Sequence, residues 1–231
     1  MDVLVNLANK YGFRRVNNSL RLPIVFHCVP GAGKTSLILE CIKSDSRFIA
    51  VTAGVPSERN LEGISISKFN GSVPKCAFAI LDEYTLLKQV PEGFFAIFGD
   101  PIQSSGGAVE PADFICNVSK RVGKCTAQLL RSFGFDITSH KEEDLVIIKD
   151  IYQVDPRDTV LYYEEEVGCL LKRHCVEAYN ITEVTGRTFR SVTFVTGENC
   201  PKLDRAKAFQ CLTRHCGSLL ILCPDASYAA T

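Results

Sequence analysis

Residues 24–36 run Ile24-Val25-Phe26-His27-Cys28-Val29-Pro30-Gly31-Ala32-Gly33-Lys34-Thr35-Ser36. The apolar run Ile24-Val25-Phe26 has the character of a buried strand, and Leu37-Ile38-Leu39 with Cys41-Ile42 continues as a helix. A glycine-rich turn between a strand and a helix is the setting that a phosphate-binding loop requires. Glycines let successive backbone N–H groups point inward, and the helix N-terminus adds positive potential for an anion. The pattern assigns Cys28, Val29, Pro30, Gly31, Ala32, Gly33, Lys34, Thr35 and Ser36 to binding ATP or another NTP. Lys34 would reach the β- and γ-phosphates, and the Thr35 hydroxyl would ligate Mg²⁺. The full motif carries glycine at the position of Cys28. A small apolar thiol fits beside the turn. A neighbouring Lys34 would lower its pKa and make it reactive.

Further along, Arg47–Val51 reads as the next strand, Cys76–Leu81 as another ending on Asp82-Glu83, and Phe94–Phe98 as a fourth ending on Gly99-Asp100-Pro101. Short apolar strands that end in polar residues, with helix-length segments between them, indicate a parallel sheet with functional groups at the strands' carboxyl ends. Asp82 would then hold Mg²⁺ and Glu83 would orient and deprotonate an attacking water. Acidic pairs are common by themselves; this one follows the lysine loop by one intervening strand. Phe98 through Gln103 reads either as a simple Gly-Asp-Pro turn or, after the acidic strand, as a γ-phosphate sensor with Gln103 at its tip.

On the N-terminal side, Asp2–Tyr11 has helical spacing and Gly12 as a stop. After Pro111 the rhythm restarts. Leu145–Ile148, Thr159–Tyr162, Val192–Val195 and Leu219–Cys223 read as strands and Leu203–His215 as a helix. Glu164-Glu165-Glu166 reads as a solvated helix start. A domain boundary is expected near residue 117, giving parts of 1–117 and 118–231.

With 231 residues, 46% hydrophobic and 23% charged, the chain has the composition of a globular protein. Lys+Arg and Asp+Glu both number 26. The first 117 residues carry 11 of each sign and the remainder 15 of each. Neither half is basic, so a nucleic acid would have to be held in a local groove. No apolar run approaches the ~18 residues of a membrane span, and Met1-Asp2-Val3-Leu4 does not look like a signal peptide. The expectation is no direct membrane insertion and reduced rather than disulfide-bonded thiols for the eleven cysteines. Cys169, His174 and Cys175 cluster, as do Cys211, His215 and Cys216. Without a Cys-x-x-Cys pair, that spacing suits buried helical cysteines better than zinc.

The order of these motifs resembles the superfamily 1 helicases, and within them the viral branch of plant positive-strand RNA viruses. Ser119-Lys120-Arg121 resembles motif IV, Val184-Thr185-Gly186-Arg187-Thr188-Phe189 motif V, and Ala208-Phe209 through Leu212-Thr213-Arg214 motif VI. The size, the opening Met1-Asp2-Val3-Leu4 and Ile80-Leu81-Asp82-Glu83-Tyr84-Thr85 resemble the triple-gene-block protein 1 family of potexvirus and carlavirus type. The resemblance implies an α/β fold of two RecA-like lobes with parallel sheets, the nucleotide between them, and no inserted subdomains. It implies that Arg121 and Arg214 are arginine fingers, and that Thr52 and Ser57 lie in a motif contacting the nucleic-acid backbone. Thr185 stands where larger relatives often carry Gln. It further implies a Mg²⁺-dependent NTPase with RNA helicase activity that binds single-stranded viral RNA and moves it between cells. Host cytoplasm and plasmodesmata as locations, suppression of RNA silencing, self-association, and other movement proteins and coat protein as partners come from the same source. Two rival readings are a non-enzymatic RNA-binding scaffold with a vestigial nucleotide site and a small-molecule P-loop kinase. The intact charged set counts against the first, and the later motifs against the second.

Overall fold

The computed structural model describes residues 2–104, 106 and 109–229, so Met1 of the opening tetrapeptide lies outside them. The chain divides into two compact units, one running to Val118 and the other from Ser119.

The first unit contains helices α1 (Asp2–Lys10) and α2 (Lys34–Ser44) and strands β1 (Arg14–Arg15), β2 (Ile24–Cys28), β3 (Phe48–Thr52), β4 (Ser67–Lys68), β5 (Phe78–Asp82), β6 (Ala96–Gly99) and β7 (Phe114–Cys116). They form one sheet in the order β1-β7-β2-β6-β5-β3-β4. Every pairing is parallel except that of β1 with β7. Parallel strands need both faces covered, and both faces here are apolar. Phe26 stacks on Phe98 at 4.3 Å and on Phe114 at 4.7 Å, an aromatic column across three adjacent strands. On the opposite face Val25, Leu81, Ile97 and Tyr84 share a second cluster. Such ring pairs add about 0.5–1.5 kcal/mol each beyond their burial. From β2 the chain crosses to β3, returns through β5 and β6, and then passes to β7 on the other side of β2. Because these strands are parallel, the loops after β2, β5 and β6 open at one carboxyl edge, where ligands of such sheets bind.

The division falls within β8 (Val118–Ser119), which forms a two-stranded ribbon with β9 (Thr138–Ser139), enclosing helix α3 (Lys124–Ser132) in sequence. The main sheet of the second unit uses β10 (Leu145–Asp150), β11 (Thr159–Tyr162), β12 (Tyr179–Asn180), β13 (Phe189–Val195) and β14 (His215–Cys223), with helices α4 (Glu165–Arg173) and α5 (Arg205–Leu212) between strands. The order β10-β14-β13-β11-β12 is parallel throughout.

Three local expectations are corrected. The helix expected over Leu203–His215 stops at Leu212, because the Thr213 hydroxyl bonds back to the Phe209 carbonyl and His215 is already paired with Phe189 across β13 and β14. Arg214 therefore lies between helix and strand, not on a helix face. Cys169 and Cys175 are exposed, and only Cys211 of the two clusters' helical cysteines is buried. Glu164-Glu165-Glu166 does start a helix, but Glu164 is half-buried and accepts from the Thr196 hydroxyl at 2.8 Å and the Gly197 N–H at 3.2 Å.

Gly99 ends β6 where there is no room for a side chain. A Cβ there would stand 2.7 Å from Thr85 Cγ2 and 2.8 Å from Tyr84 Cδ1, and both neighbours are buried. Overpacking of this kind costs about 1–3 kcal/mol. Gly99→Ala should lower the urea midpoint accordingly, with the denaturant slope unchanged. A midpoint equal to the parent's would mean that Tyr84 moves aside freely.

Candidate functional site

The turn after β2 has the geometry its glycines foretell. Gly31 and Gly33 adopt φ of 80° and 95°, in the left-handed region that other residues avoid. Gly33 caps α2 without any side-chain hydrogen bond, and the first turn of α2 contains no acidic residue. Helix N-termini leave their first N–H groups unsatisfied within the helix. Here the cap residue has no side chain and the first turn no acid of its own, which suits these groups to an anion. Thr35 and Ser36 are exposed at this end, whereas Cys28, Val29 and Ala32 are buried beneath it. Pro30 and Gly31 are half-buried on the turn.

Lys34 turns back from the start of α2 onto the end of β5. Its ammonium lies 2.9 Å from Asp82 and 2.5 Å from Glu83. Burial opposes a charge on Lys34, but the two carboxylates outweigh it and hold its pKa above the ordinary range. Asp82 is pushed upward by burial and by Glu83, with Lys34 opposing. One ammonium is thus shared between two carboxyl groups. Glu83 stands at φ 55°, ψ 40°, a conformation costly for a non-glycine residue. Gly54 makes the space: a Cβ at that position would come within 3.0 Å of Glu83 Cγ.

The loop after β6 adds a residue that the sequence reading passed over. Asp100 caps the short turn Pro101–Gln103, accepting from the Ile102 N–H at 3.0 Å and from Gln103 Nε2 at 2.7 Å. The expected sensor, Gln103, is thereby held by its own side-chain amide. Burial pushes the Asp100 carboxyl up to about 6, against the two hydrogen bonds. An Asp before Pro is a capping signal in the sequence, but its burial is tertiary. His27 and Tyr84 are a second omission. Their ring nitrogen and hydroxyl meet at 2.7 Å, and the hydroxyl also accepts from the Glu110 N–H at 3.2 Å, tying β2 to the segment after Glu83.

The expected reactivity of Cys28 is overturned. Its thiol is buried at the end of β2, and burial raises its pKa far more than Lys34 lowers it. Cys28 is a packing residue under the turn. Thr52 and Ser57 serve their own loop, the first accepting from the Gly54 N–H at 3.0 Å and the second from the Ile66 N–H at 2.7 Å. Lys68 holds the same loop by its Ala53 and Gly54 carbonyls.

In the second unit, Arg121 is half-buried just after β8, and its N–H bonds to the Ser119 hydroxyl at 3.2 Å. Arg214 is 4% exposed. Thr185 donates to the Thr182 carbonyl at 3.0 Å, and Gly186 turns the chain at φ 80° toward exposed Arg187. An open cavity of 390 Å³ in this unit is lined by Tyr163, Glu164, Glu165, Glu166, Glu198 and Asp204 among others, a lining that repels phosphate. Among the described residues, no three or more His, Cys, Asp or Glu stand together as a metal cage. No described helix is long and apolar enough to cross a membrane.

The raised Asp100 pKa makes a stability claim. Between its ordinary 3.8 and about 6, the folded state keeps a proton that the unfolded state releases, so stability falls as pH rises through that window. Asp100→Asn lacks this loss. Urea unfolding at pH 4.5 and pH 7 should show the variant gaining on the parent at the higher pH. An equal difference at both values would place the Asp100 pKa near normal.

The family model described as the viral superfamily 1 RNA helicase core domain matches residues 24–223. The movement and silencing protein TGBp1 of Chrysanthemum virus B is 52% identical over the whole of both chains. That of Lily symptomless virus is 49% identical, also over the whole of both. That of Potato virus X is 34% identical over 90% of this chain and 92% of its own. Among solved structures, an arterivirus nonstructural protein 10 helicase in complex with DNA matches with a TM-score of 0.57 at 15% identity, covering 86% of this chain and 60% of that one. A crystal structure of the arterivirus protein gives 0.51 at 17%, over 95% of this chain and 56% of the other. The likeness to those longer helicases is one of α/β fold, with two parallel-sheet lobes.

Proposed function

This chain belongs to the TGBp1 family of viral movement and silencing proteins, built on a superfamily 1 RNA helicase core, and we propose that it is a Mg²⁺-dependent NTPase that binds and remodels single-stranded viral RNA. The observation that carries the enzymatic reading is the sharing of the Lys34 ammonium between Asp82 and Glu83 beside an uncapped helix N-terminus. A bare triphosphate competes with both carboxyl groups for Lys34, so nucleotide enters with a divalent cation.

The donor set suits Mg²⁺. Asp82 and the Thr35 hydroxyl are hard oxygen ligands too few to form a cage, and Mg²⁺ is commonly bound by one or two carboxylates together with substrate phosphates. When bound, Mg²⁺ neutralises charge on the phosphate oxygens. Lys34, released from its carboxylates, is then free for the β- and γ-phosphates. The N–H groups of Gly31 through Ser36 cradle the anion, with Cys28, Val29 and Pro30 shaping the turn below. Glu83 orients the attacking water and accepts its proton. Gln103, fixed by Asp100, reports on the γ-phosphate. Arg121 and Arg214 are the arginine fingers: a guanidinium is permanently charged and grips phosphate oxygens in pairs.

RNA is held through its backbone, since balanced charge leaves no broadly basic half. Affinity then falls steeply as salt rises. We assign the protein to transport of viral RNA through plasmodesmata from the host cytoplasm and to suppression of silencing, working with copies of itself, other movement proteins and coat protein.

Phosphate release from ATP, with and without single-stranded RNA, tests the reading. RNA should stimulate turnover. Lys34→Ala should lose most NTP binding, and Glu83→Gln should bind NTP while turnover drops by about 10² or more. Arg214→Ala should reduce turnover by roughly 10³ with nucleotide affinity little changed. No release by the parent would favour a binding scaffold, and release only with a phosphate acceptor would favour a kinase.

A further inference from the structure

Within the second unit, the segments carrying Arg121 and Arg214 are distant in sequence and joined by two side chains from one short link, residues 140–144, between β9 and β10. Lys141 donates to the Arg121 carbonyl at 3.1 Å and also to the Cys216 carbonyl. Asp144 accepts from the Gly123 N–H at 2.9 Å, the Thr126 N–H at 3.1 Å and the Thr126 hydroxyl at 2.6 Å, and its carboxylate meets His215 Nε2 at 3.2 Å. Each therefore bridges the loop containing Arg121 to the residues directly after Arg214. Asp144 is buried and His215 is 0% exposed.

The surroundings admit little play. A Cβ at Gly123 would lie 2.6 Å from Asp144 Oδ1 and from the Glu142 carbonyl, so this approach requires glycine. Ser139 closes the same loop by donating to the Val122 carbonyl at 2.8 Å and accepting from the Lys141 N–H at 3.0 Å. Behind them, Phe189 N–H bonds to the Arg214 carbonyl at 2.8 Å. Burial works against a charged Asp144, yet His215, Thr126 and Gly123 together hold its carboxyl well below the usual range. The arrangement costs desolvation and fixes main-chain atoms beside two guanidinium-bearing residues.

We infer that Lys141 and Asp144 are positioning residues: a two-pronged clamp that sets the spacing of Arg121 and Arg214 so that both guanidiniums serve one phosphate. The inference rests on the arginine-finger reading above. Neither clamp residue needs to touch nucleotide. Their effect passes through the arginines, and a displacement of about 1 Å in a catalytic group can cost up to ~10² in rate.

Lys141 is the residue to test first, because it is only half-buried and Lys141→Met keeps its length. The full chain is assayed for RNA-stimulated phosphate release, ATP affinity and melting temperature. Lys141→Met should lower kcat by about tenfold or more while ATP affinity stays within twofold of the parent. The melting temperature should move little, and Lys141→Arg should restore most of the rate. With both arginines already removed, in an Arg121→Ala/Arg214→Ala background, Lys141→Met should cost almost nothing further, since groups acting as a unit are not additive. Asp144→Asn should behave alike wherever it folds. Full turnover by Lys141→Met alongside a defective Arg214→Ala overturns the clamp and leaves the arginines standing. An undiminished loss in the Arg121→Ala/Arg214→Ala background, or a fall in ATP affinity matching the fall in rate, also overturns it. Normal turnover by both Arg121→Ala and Arg214→Ala overturns the arginine reading and the clamp with it.

Discussion

A single ammonium, on Lys34, balances two carboxylates at the carboxyl edge of the first sheet, with Asp82 2.9 Å and Glu83 2.5 Å away. The rest of that unit is arranged around this cluster. β6 lies between β2 and β5, so Lys34 at the start of α2 reaches past the end of one strand to meet the next. Gly54 leaves space for Glu83, Gly99 leaves space for Tyr84, and Tyr84 ties back to His27 in the strand beneath the turn. Desolvating three charges for two ion pairs is a poor way to stabilise a fold, since apolar residues of similar volume often do as well or better. The left-handed backbone of Glu83 adds further cost. Such expense is expected where groups are held ready for a ligand rather than for each other.

The two units use polar groups differently. In the first, the polar side chains at the sheet edge converge on a place where phosphate and metal chemistry are possible. In the second, the buried polar side chains bond mostly to main chain. Asp144, Lys141, Ser119 and Ser139 all secure the loop after β8, and the acidic cavity near α4 discourages phosphate. The first unit resembles a binding surface and the second a mount for two arginines.

The glycine-rich turn between β2 and α2 was legible in the sequence because positive φ at Gly31 and Gly33 leaves glycine as the natural choice, and the strand and helix around it are clearly apolar. Asp82-Glu83 was legible because buried strands end where charge begins. Parallel sheets followed from the alternation of strands and helices, whereas their strand order is set by tertiary packing and had no local signal. What stayed hidden depends on burial created by distant segments. The sequence placed Cys28 beside a lysine and so suggested a reactive thiol, but β7 and β6 flank its strand and burial prevails. Asp100 looked like part of a turn because nothing local reveals that its carboxyl is enclosed. The end of α5 was overrun because Thr213 and His215 tolerate a helix, and only pairing with β13 makes His215 a strand residue. The clamp of Lys141 and Asp144 joins residues some ninety positions apart in part, a separation no local pattern encodes.

On the function proposed above, Asp82 and Glu83 compete with phosphate for Lys34, and a divalent cation relieves the competition. ATP affinity measured by calorimetry without metal, for the parent and Glu83→Gln, tests it most directly. Removing one of two anions from a shared cation should tighten metal-free ATP binding several-fold, because less repulsion remains and Lys34 is less firmly held. Adding Mg²⁺ should strengthen the parent's affinity more than the variant's. Metal-free affinity that is unchanged or weaker in Glu83→Gln would contradict the account, and would mean that Glu83 supports the phosphate site rather than competing with it.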